Sequence, residues 1–219
     1  MNALTPIQTR LSIEVVHDFV CPWCYLGVRR LLRGLALRPN DAFVITWRPF
    51  LLNPDIPRDG LSRLDYVQRK YGGEDRARRL YATVTELGLQ DGVTFRFDRM
   101  HHIPSSVEAH RLAGWAARIG PADALVEALF AAQFTGGLDI GNLEVLAGIA
   151  ASVGLDRAAA LAFLRAREGI DIVHSENLRA HRRGISGVPC FVFSGRLAVS
   201  GAQETEVFSR LLDVAALDG

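Results

Sequence analysis

The sequence predicts an α/β protein in which a β-α-β unit and a β-β-α unit are separated by a large all-helical insertion. Three observations predict it. Residues 11–19 (LSIEVVHDF) and 43–50 (FVITWRPF) are dense in β-branched and aromatic residues and flank a stretch with helical apolar spacing. Residues 62–168 carry a succession of helix start and stop signals. Residues 187–200 hold two short apolar runs around Ser194-Gly195, a hairpin signal, with a last helical pattern after them.

Each element has a local cause. The first strand is apolar at nearly every position, as expected when both faces are covered. At Pro22 the period becomes helical, with Val28, Leu31, Leu32 and Leu35 interleaved among arginines; proline suits the first helical position, where no amide donor is needed. The loop Pro39-Asn40-Asp41 leads into the second strand. Ser62 with Asp65 reads as a capping box opening helices through Leu87. Ser105 or Ser106 starts a helix running to Gly120, Pro121 begins another, and Asn142 and Asp156 cap two more that end near Gly154 and Arg167. A helix over residues 172–183 stops at Gly184. Residues 190–193 and 196–200 are the hairpin strands, and residues 204–217 the final helix.

The chain has 219 residues, 49% hydrophobic and 22% charged, enough to bury a substantial core. Its 25 basic and 24 acidic residues leave a formal charge of +1, with no long run of one sign. That balance argues against a nucleic-acid or membrane-surface partner. Residues 1–10 (MNALTPIQTR) lack the apolar core of a secretory signal, and no later stretch is long enough to span a bilayer. A cytoplasmic setting is the expectation. Structural disulfides are rare there, so closely spaced cysteines point to redox chemistry or metal binding.

Two of the three cysteines stand in Cys21-Pro22-Trp23-Cys24. Zinc binding is disfavoured because the other candidate ligands, Cys190 and His17, match no tetrahedral spacing, so no metal is expected. Two inert core thiols are a second reading. Redox chemistry is the third and strongest: a cysteine at a helix N-terminus faces unpaired amides and the positive end of the helix dipole, which favour thiolate. Cys21 is then the nucleophile, and Cys24, one turn on along the same face, the more buried resolving thiol. Pro22 and Trp23 tune the pair. Because Pro22 removes a donor and Trp23 brings an apolar surface, the expected potential lies between about −270 and about −120 mV.

With the helical block set aside, the order β-α-β, helix, β-β-α, with CxxC at the first strand-helix junction and Val188-Pro189 before the third strand, is the arrangement of the thioredoxin fold. The chain resembles the DsbA-like thiol oxidoreductases, specifically the FrnE-like branch related to 2-hydroxychromene-2-carboxylate isomerases and kappa-class glutathione transferases. The resemblance rests on DFVCPWCYLG (18–27), HRLAGWA (110–116), GLDIGNLEVL (137–146), GISGVPCFVF (184–193) and VSGAQ (199–203), and spans nearly the whole chain. It implies a discontinuous thioredoxin-like domain over residues 11–60 and 170–217, with a helical insertion domain over 61–169. It also implies a cis Pro189 opposite Cys21, with the Val188 backbone free to pair with an extended substrate.

Other residues carry competing readings. His17 and Asp18 either modulate the Cys21-Cys24 pair, by charge or proton relay, or form a hydrogen-bonded strand end. Val15 stands where several thioredoxin-fold proteins keep a buried acid. Strand alternation puts Cys190 and Val192 on one face and Phe191 and Phe193 on the other, making Cys190 a small buried filler or an off-pathway partner of Cys21. Ser105-Ser106 reads as a helix cap or a cleft residue, His101-His102 as loop histidines, and Trp47, Tyr66 and Trp115 as core or cleft wall.

The leading function is a dithiol-disulfide oxidoreductase or isomerase acting on disulfide- or dithiol-bearing proteins or small molecules. It needs no tightly bound cofactor, with glutathione as redox partner. A glutathione-dependent isomerase is the second reading; the intact Cys21-Cys24 pair argues against it. A holdase using the cleft beside the helical block is the third. A homodimer is an expectation from the branch alone, since no residue pattern shows a self-complementary patch.

Overall fold

The structure, a computed structural model, describes residues 10–217. The reading of the N-terminal segment as lacking a signal therefore falls on residues 1–9, outside the described residues. Strand β1 (Leu11–His17) leads through a short turn into helix α1 (Pro22–Ala36), which crosses over to β2 (Phe43–Pro49). β1 and β2 pair in parallel, Leu11 opposite Phe43 through His17 opposite Pro49, a pairing that requires such a crossover. β5 (Cys190–Phe193) runs antiparallel to β1, with Val15 opposite Phe191 and Val16 opposite Cys190, and β6 (Leu197–Ser200) completes a sheet of order β2-β1-β5-β6.

The alternation expected of residues 190–193 is observed. Phe191 and Phe193 join Ile13, Val15, Val28 and Leu31 on the face covered by α1 and by α9 (Thr205–Leu217). Cys190 and Val192 join Val16, Phe50 and Ala180 on the other, under α8 (Ile170–Arg182). β1 ends two residues earlier than its apolar pattern, because Asp18 turns inward to bond backbone amides and Phe19 enters a core beyond the sheet.

Between β2 and α8 lie α2 (Arg63–Tyr71), α3 (Glu74–Gln90), α4 (Val107–Ile119), α5 (Ala122–Ala131), α6 (Leu143–Ser152) and α7 (Arg157–Ala166). Ser62 caps α2, Asn142 α6 and Asp156 α7, each accepting from first-turn amides as their sequence predicts. The block is not wholly helical. β3 (Leu61–Ser62) and β4 (His102–Ile103) form a two-stranded ribbon, so His102 is a strand residue rather than a loop histidine, its Nε2 3.9 Å from Asp139 Oδ2. Two-residue strands are too short to leave an alternating pattern.

One continuous core joins sheet and helices. Tyr25 of α1 stacks on Phe130, ring centroids 5.5 Å apart, and on Phe134, which sits in a π-helical turn over Ala132–Gly136 at the end of α5. On its far side α1 buries Arg30, whose Nε donates to Asp91 Oδ2 at 2.6 Å and whose Nη1 donates to the Ala202 carbonyl at 2.8 Å. A buried guanidinium satisfied by both groups fixes α1 against the end of α3 and the loop before α9.

Candidate active site

Cys21 is the N-cap of α1, with extended backbone (φ −99°, ψ 110°). Pro22 occupies the first turn, and no acidic residue there offsets the positive end of the helix dipole. The Cys21 side chain does not cap the helix. Its Sγ donates across the chain to the Val188 carbonyl at 3.6 Å, in front of a cis Val188-Pro189 bond. Cys21 is 4% exposed and Cys24 0%, the order expected of an attacking and a resolving thiol. Burial pushes the Cys24 thiol well above its ordinary pKa, and the adjacent Cys21 sulfur pushes it further. The three cysteines are free thiols.

Gly27, on the second turn of α1, keeps Pro189 close. A β-carbon there would lie 3.0 Å from Pro189 Cγ, 3.1 Å from Phe191 Cζ and 3.3 Å from Ala202 Cα. Gly27→Leu is expected to destabilise the fold by about 1–3 kcal/mol through overpacking, measured as a lower urea midpoint at unchanged m-value. An unchanged midpoint would show that this contact does not hold α1 and Pro189 together.

The strand end brings together more than the sequence suggested. Asp18 is fully buried; its carboxylate accepts from the Leu52 amide at 2.7 Å and the Val20 amide at 3.2 Å. His110 Nε2 lies 3.7 Å from it. Burial raises the Asp18 pKa, but the adjacent His110, the Ser106 hydroxyl and the Leu52 amide outweigh it and hold the carboxyl below its usual value. Asp18 thus supplies from three positions before Cys21 the buried acid that Val15, packed in the sheet core, does not. His17 is held neutral, its pKa lowered to about 3 by burial and then by the charge of His110, while Nδ1 sits 3.2 Å from the Val15 carbonyl.

Sequence reasoning missed several participants. His110 lies within HRLAGWA but carries no spacing signal toward residue 18. Ser106 precedes α4 without capping it, because its hydroxyl is turned to Asp18. Lys70 donates to Asn53 Oδ1 at 2.8 Å and lies over the Tyr66 ring; its crowded setting lowers its pKa, against the opposing pull of the Cys21 and Asp18 charges. Tyr66 and Tyr71, rings 6.1 Å apart, line a small cavity with Val20 and Pro22, and Tyr66 is also part of the buried core. Cys190 stays on the opposite face of the sheet beside Ser200, where burial raises its pKa.

A thiol at the N-terminus of α1 thus stands across from the Val188 carbonyl, with a second thiol buried behind it. A sequence profile of the DSBA-like thioredoxin domain matches residues 12–213. The chain belongs to the DsbA-like family. Among solved structures, this DsbA-like chain is 30% identical to a probable DsbA oxidoreductase from Streptomyces coelicolor. The match has a TM-score of 0.84 and covers 94% of this chain and 89% of the other. A 2-hydroxychromene-2-carboxylate isomerase shares the fold at 18% identity and TM-score 0.65, covering 94% and 95% of the two chains. The cytosolic disulfide reductase DsbM from Pseudomonas aeruginosa, solved with GSH, shares it at 16% and 0.66, covering 93% and 98%. The DsbA-like fold expected from the sequence is therefore the observed one, and the family is one of oxidoreductases. No helix among the described residues is long and apolar enough to cross a membrane.

Proposed function

We propose that this DsbA-like chain is a dithiol-disulfide oxidoreductase working through Cys21 and Cys24. The observation that carries the reading is the Cys21 sulfur at the N-terminus of α1, 3.6 Å from the Val188 carbonyl, with Cys24 wholly buried behind it. The Cys21 thiolate attacks one sulfur of a substrate disulfide, forming a mixed disulfide and releasing the other as thiolate. Cys24 then gives up its proton and attacks the Cys21 sulfur. The second substrate thiolate leaves, and the two electrons that reduce the substrate leave a Cys21-Cys24 disulfide.

The Asp18 carboxylate stays ionised, and burial together with its charge keeps the Cys24 thiol protonated until the mixed disulfide forms; the Cys24 proton then passes to the departing substrate thiolate. The Val188 backbone, beside Cys21, offers the pairing edge for an extended substrate segment. Pro22 and Trp23 set the potential. The discontinuous thioredoxin-like unit of residues 11–60 and 170–217 carries the dithiol, and the insertion of residues 61–169 supplies the tyrosine-lined wall. Glutathione is the thiol that returns the disulfide to dithiol. The cytosolic reductase named among the structural neighbours supports a reducing direction and a cytoplasmic setting.

The test is equilibration in glutathione buffers of graded potential, with alkylation and mass counting of each thiol. One two-electron transition confined to Cys21 and Cys24, between about −270 and about −120 mV, is the expected result, with Cys190 a free thiol throughout. If no Cys21-Cys24 disulfide forms at any potential, the oxidoreductase reading is wrong and a glutathione-dependent isomerase takes its place.

A further inference from the structure

A cavity of about 360 Å³ opens at the β2 edge of the sheet, between β2, α4 and α8, and Cys21, Pro22 and Val188 take no part in it. Its size is within the range of small-molecule sites. The buried end is formed by His17 and His110, 1% and 2% exposed; His110 Nε2 faces the Asp18 carboxylate at 3.7 Å, while His17 Nε2 has no hydrogen-bond partner among the described residues. An unpartnered imidazole nitrogen in a buried place carries a desolvation cost that a hydrogen-bonding ligand group would relieve. Trp47, Trp115 and Phe163 give the cavity flat apolar walls, the last two stacked on each other with centroids 5.7 Å apart.

The solvent end carries charge. Of the three arginines lining the cavity, Arg48 is paired with Glu14 and Glu176, and Arg111 with Glu108 and the carbonyls of Phe163, Leu164 and Glu168. Arg118, which reaches only the Phe163 ring at 6.0 Å, has no carboxylate partner among the described residues. The Glu168 carboxylate, also at the cavity, has no cationic partner there. Cation and anion at the mouth, aromatic walls and an unpartnered polar buried end together describe the complement of one kind of molecule.

We propose that this cavity is a second ligand site, separate from the dithiol, that binds an aromatic amino-acid-like zwitterion bearing a ring hydroxyl or ring N–H. Its carboxylate meets Arg118, its ammonium Glu168, its ring the tryptophan and phenylalanine walls, and its polar ring group the His17 Nε2. Gly114 lines the cavity in the middle of α4, and a β-carbon there meets nothing within 4 Å. A side chain can therefore be introduced into the space without a clash.

The test is calorimetric titration with L-tyrosine, and with tyramine, 4-hydroxyphenylpropionate and L-phenylalanine as probes lacking one polar group each. Saturable binding of L-tyrosine, stronger than any of the three, is expected. Gly114→Leu should weaken it at least tenfold while leaving disulfide exchange at the wild-type rate. Arg118→Ala should weaken L-tyrosine but not tyramine, and Glu168→Gln should weaken L-tyrosine but not 4-hydroxyphenylpropionate. These two surface variants decide the matter should Gly114→Leu not fold. Absence of saturable binding, or binding indifferent to all three substitutions, overturns the proposal, as does an affinity for L-tyrosine no greater than for the three truncated probes. Failure here leaves the dithiol untouched, because glutathione titration of Cys21 and Cys24 is read separately.

Discussion

Cys21→Ser is expected to bring disulfide reduction, followed with a protein disulfide and with oxidised glutathione, down to the uncatalysed background. A serine hydroxyl at neutral pH supplies no anion comparable to a thiolate, and Cys24, the thiol in the first turn of α1, is wholly buried and pushed well above its ordinary pKa. The fold should be indifferent to the change, since the hydrogen bond from the Cys21 side chain to the Val188 carbonyl is a long one. Cys24→Ser tests the same mechanism from its second step. Attack by Cys21 still proceeds, resolution does not, and the protein should accumulate as a mixed disulfide with glutathione, visible by mass. Cys190→Ser should keep full activity, because that thiol lies across the sheet, against Ser200. Retained turnover in Cys21→Ser would defeat the dithiol mechanism, and loss of turnover in Cys190→Ser would show a third redox thiol.

What the sequence made legible follows from what is local in it. The junction of β1 and α1, the caps of α2, α6 and α7, and the alternation that sends Phe191 to one face and Cys190 to the other are written in neighbouring residues, and each is found where the pattern puts it. The environment of Asp18 is not local. Its partners come from residue 52 after β2, and from Ser106 and His110 at the start of α4, segments that no periodicity connects. Ser106 carries two readings for the same reason: a serine before a helix reads equally as a cap and as a cleft residue until a buried carboxylate is seen to take its hydroxyl. The ribbon of β3 and β4 escaped because two residues cannot display a period, and Lys70 because a cation on a polar helix looks like solvated surface until Asn53 and the Tyr66 ring are beside it.

The second large effect is on stability in mild acid. His17 stays neutral in the folded protein down to about pH 3, whereas the unfolded chain protonates it near its ordinary value of 6.5. Between these limits the unfolded state binds more protons, so stability is fully present above about pH 6.5 and falls as pH drops toward about 3. The limiting slope for one such group is about 1.4 kcal/mol per pH unit, which amounts to about 2 kcal/mol lost between about pH 7.5 and about pH 5. Asp18 and Glu14, whose pKa values are lowered in the fold, act in the same direction, but only below the ordinary carboxylate range, so the upper part of the acid limb isolates His17. Burial among Phe19, Trp47, His110 and Phe130 is the first cause, and a charge on His110, 5.1 Å away between ring centroids, the second. Urea unfolding at several pH values should therefore show the loss in wild type and its disappearance in His17→Gln, which keeps a polar side chain but cannot titrate. Should the variant keep the wild-type slope, the proton responsible sits elsewhere and His17 is not the group that resists acid.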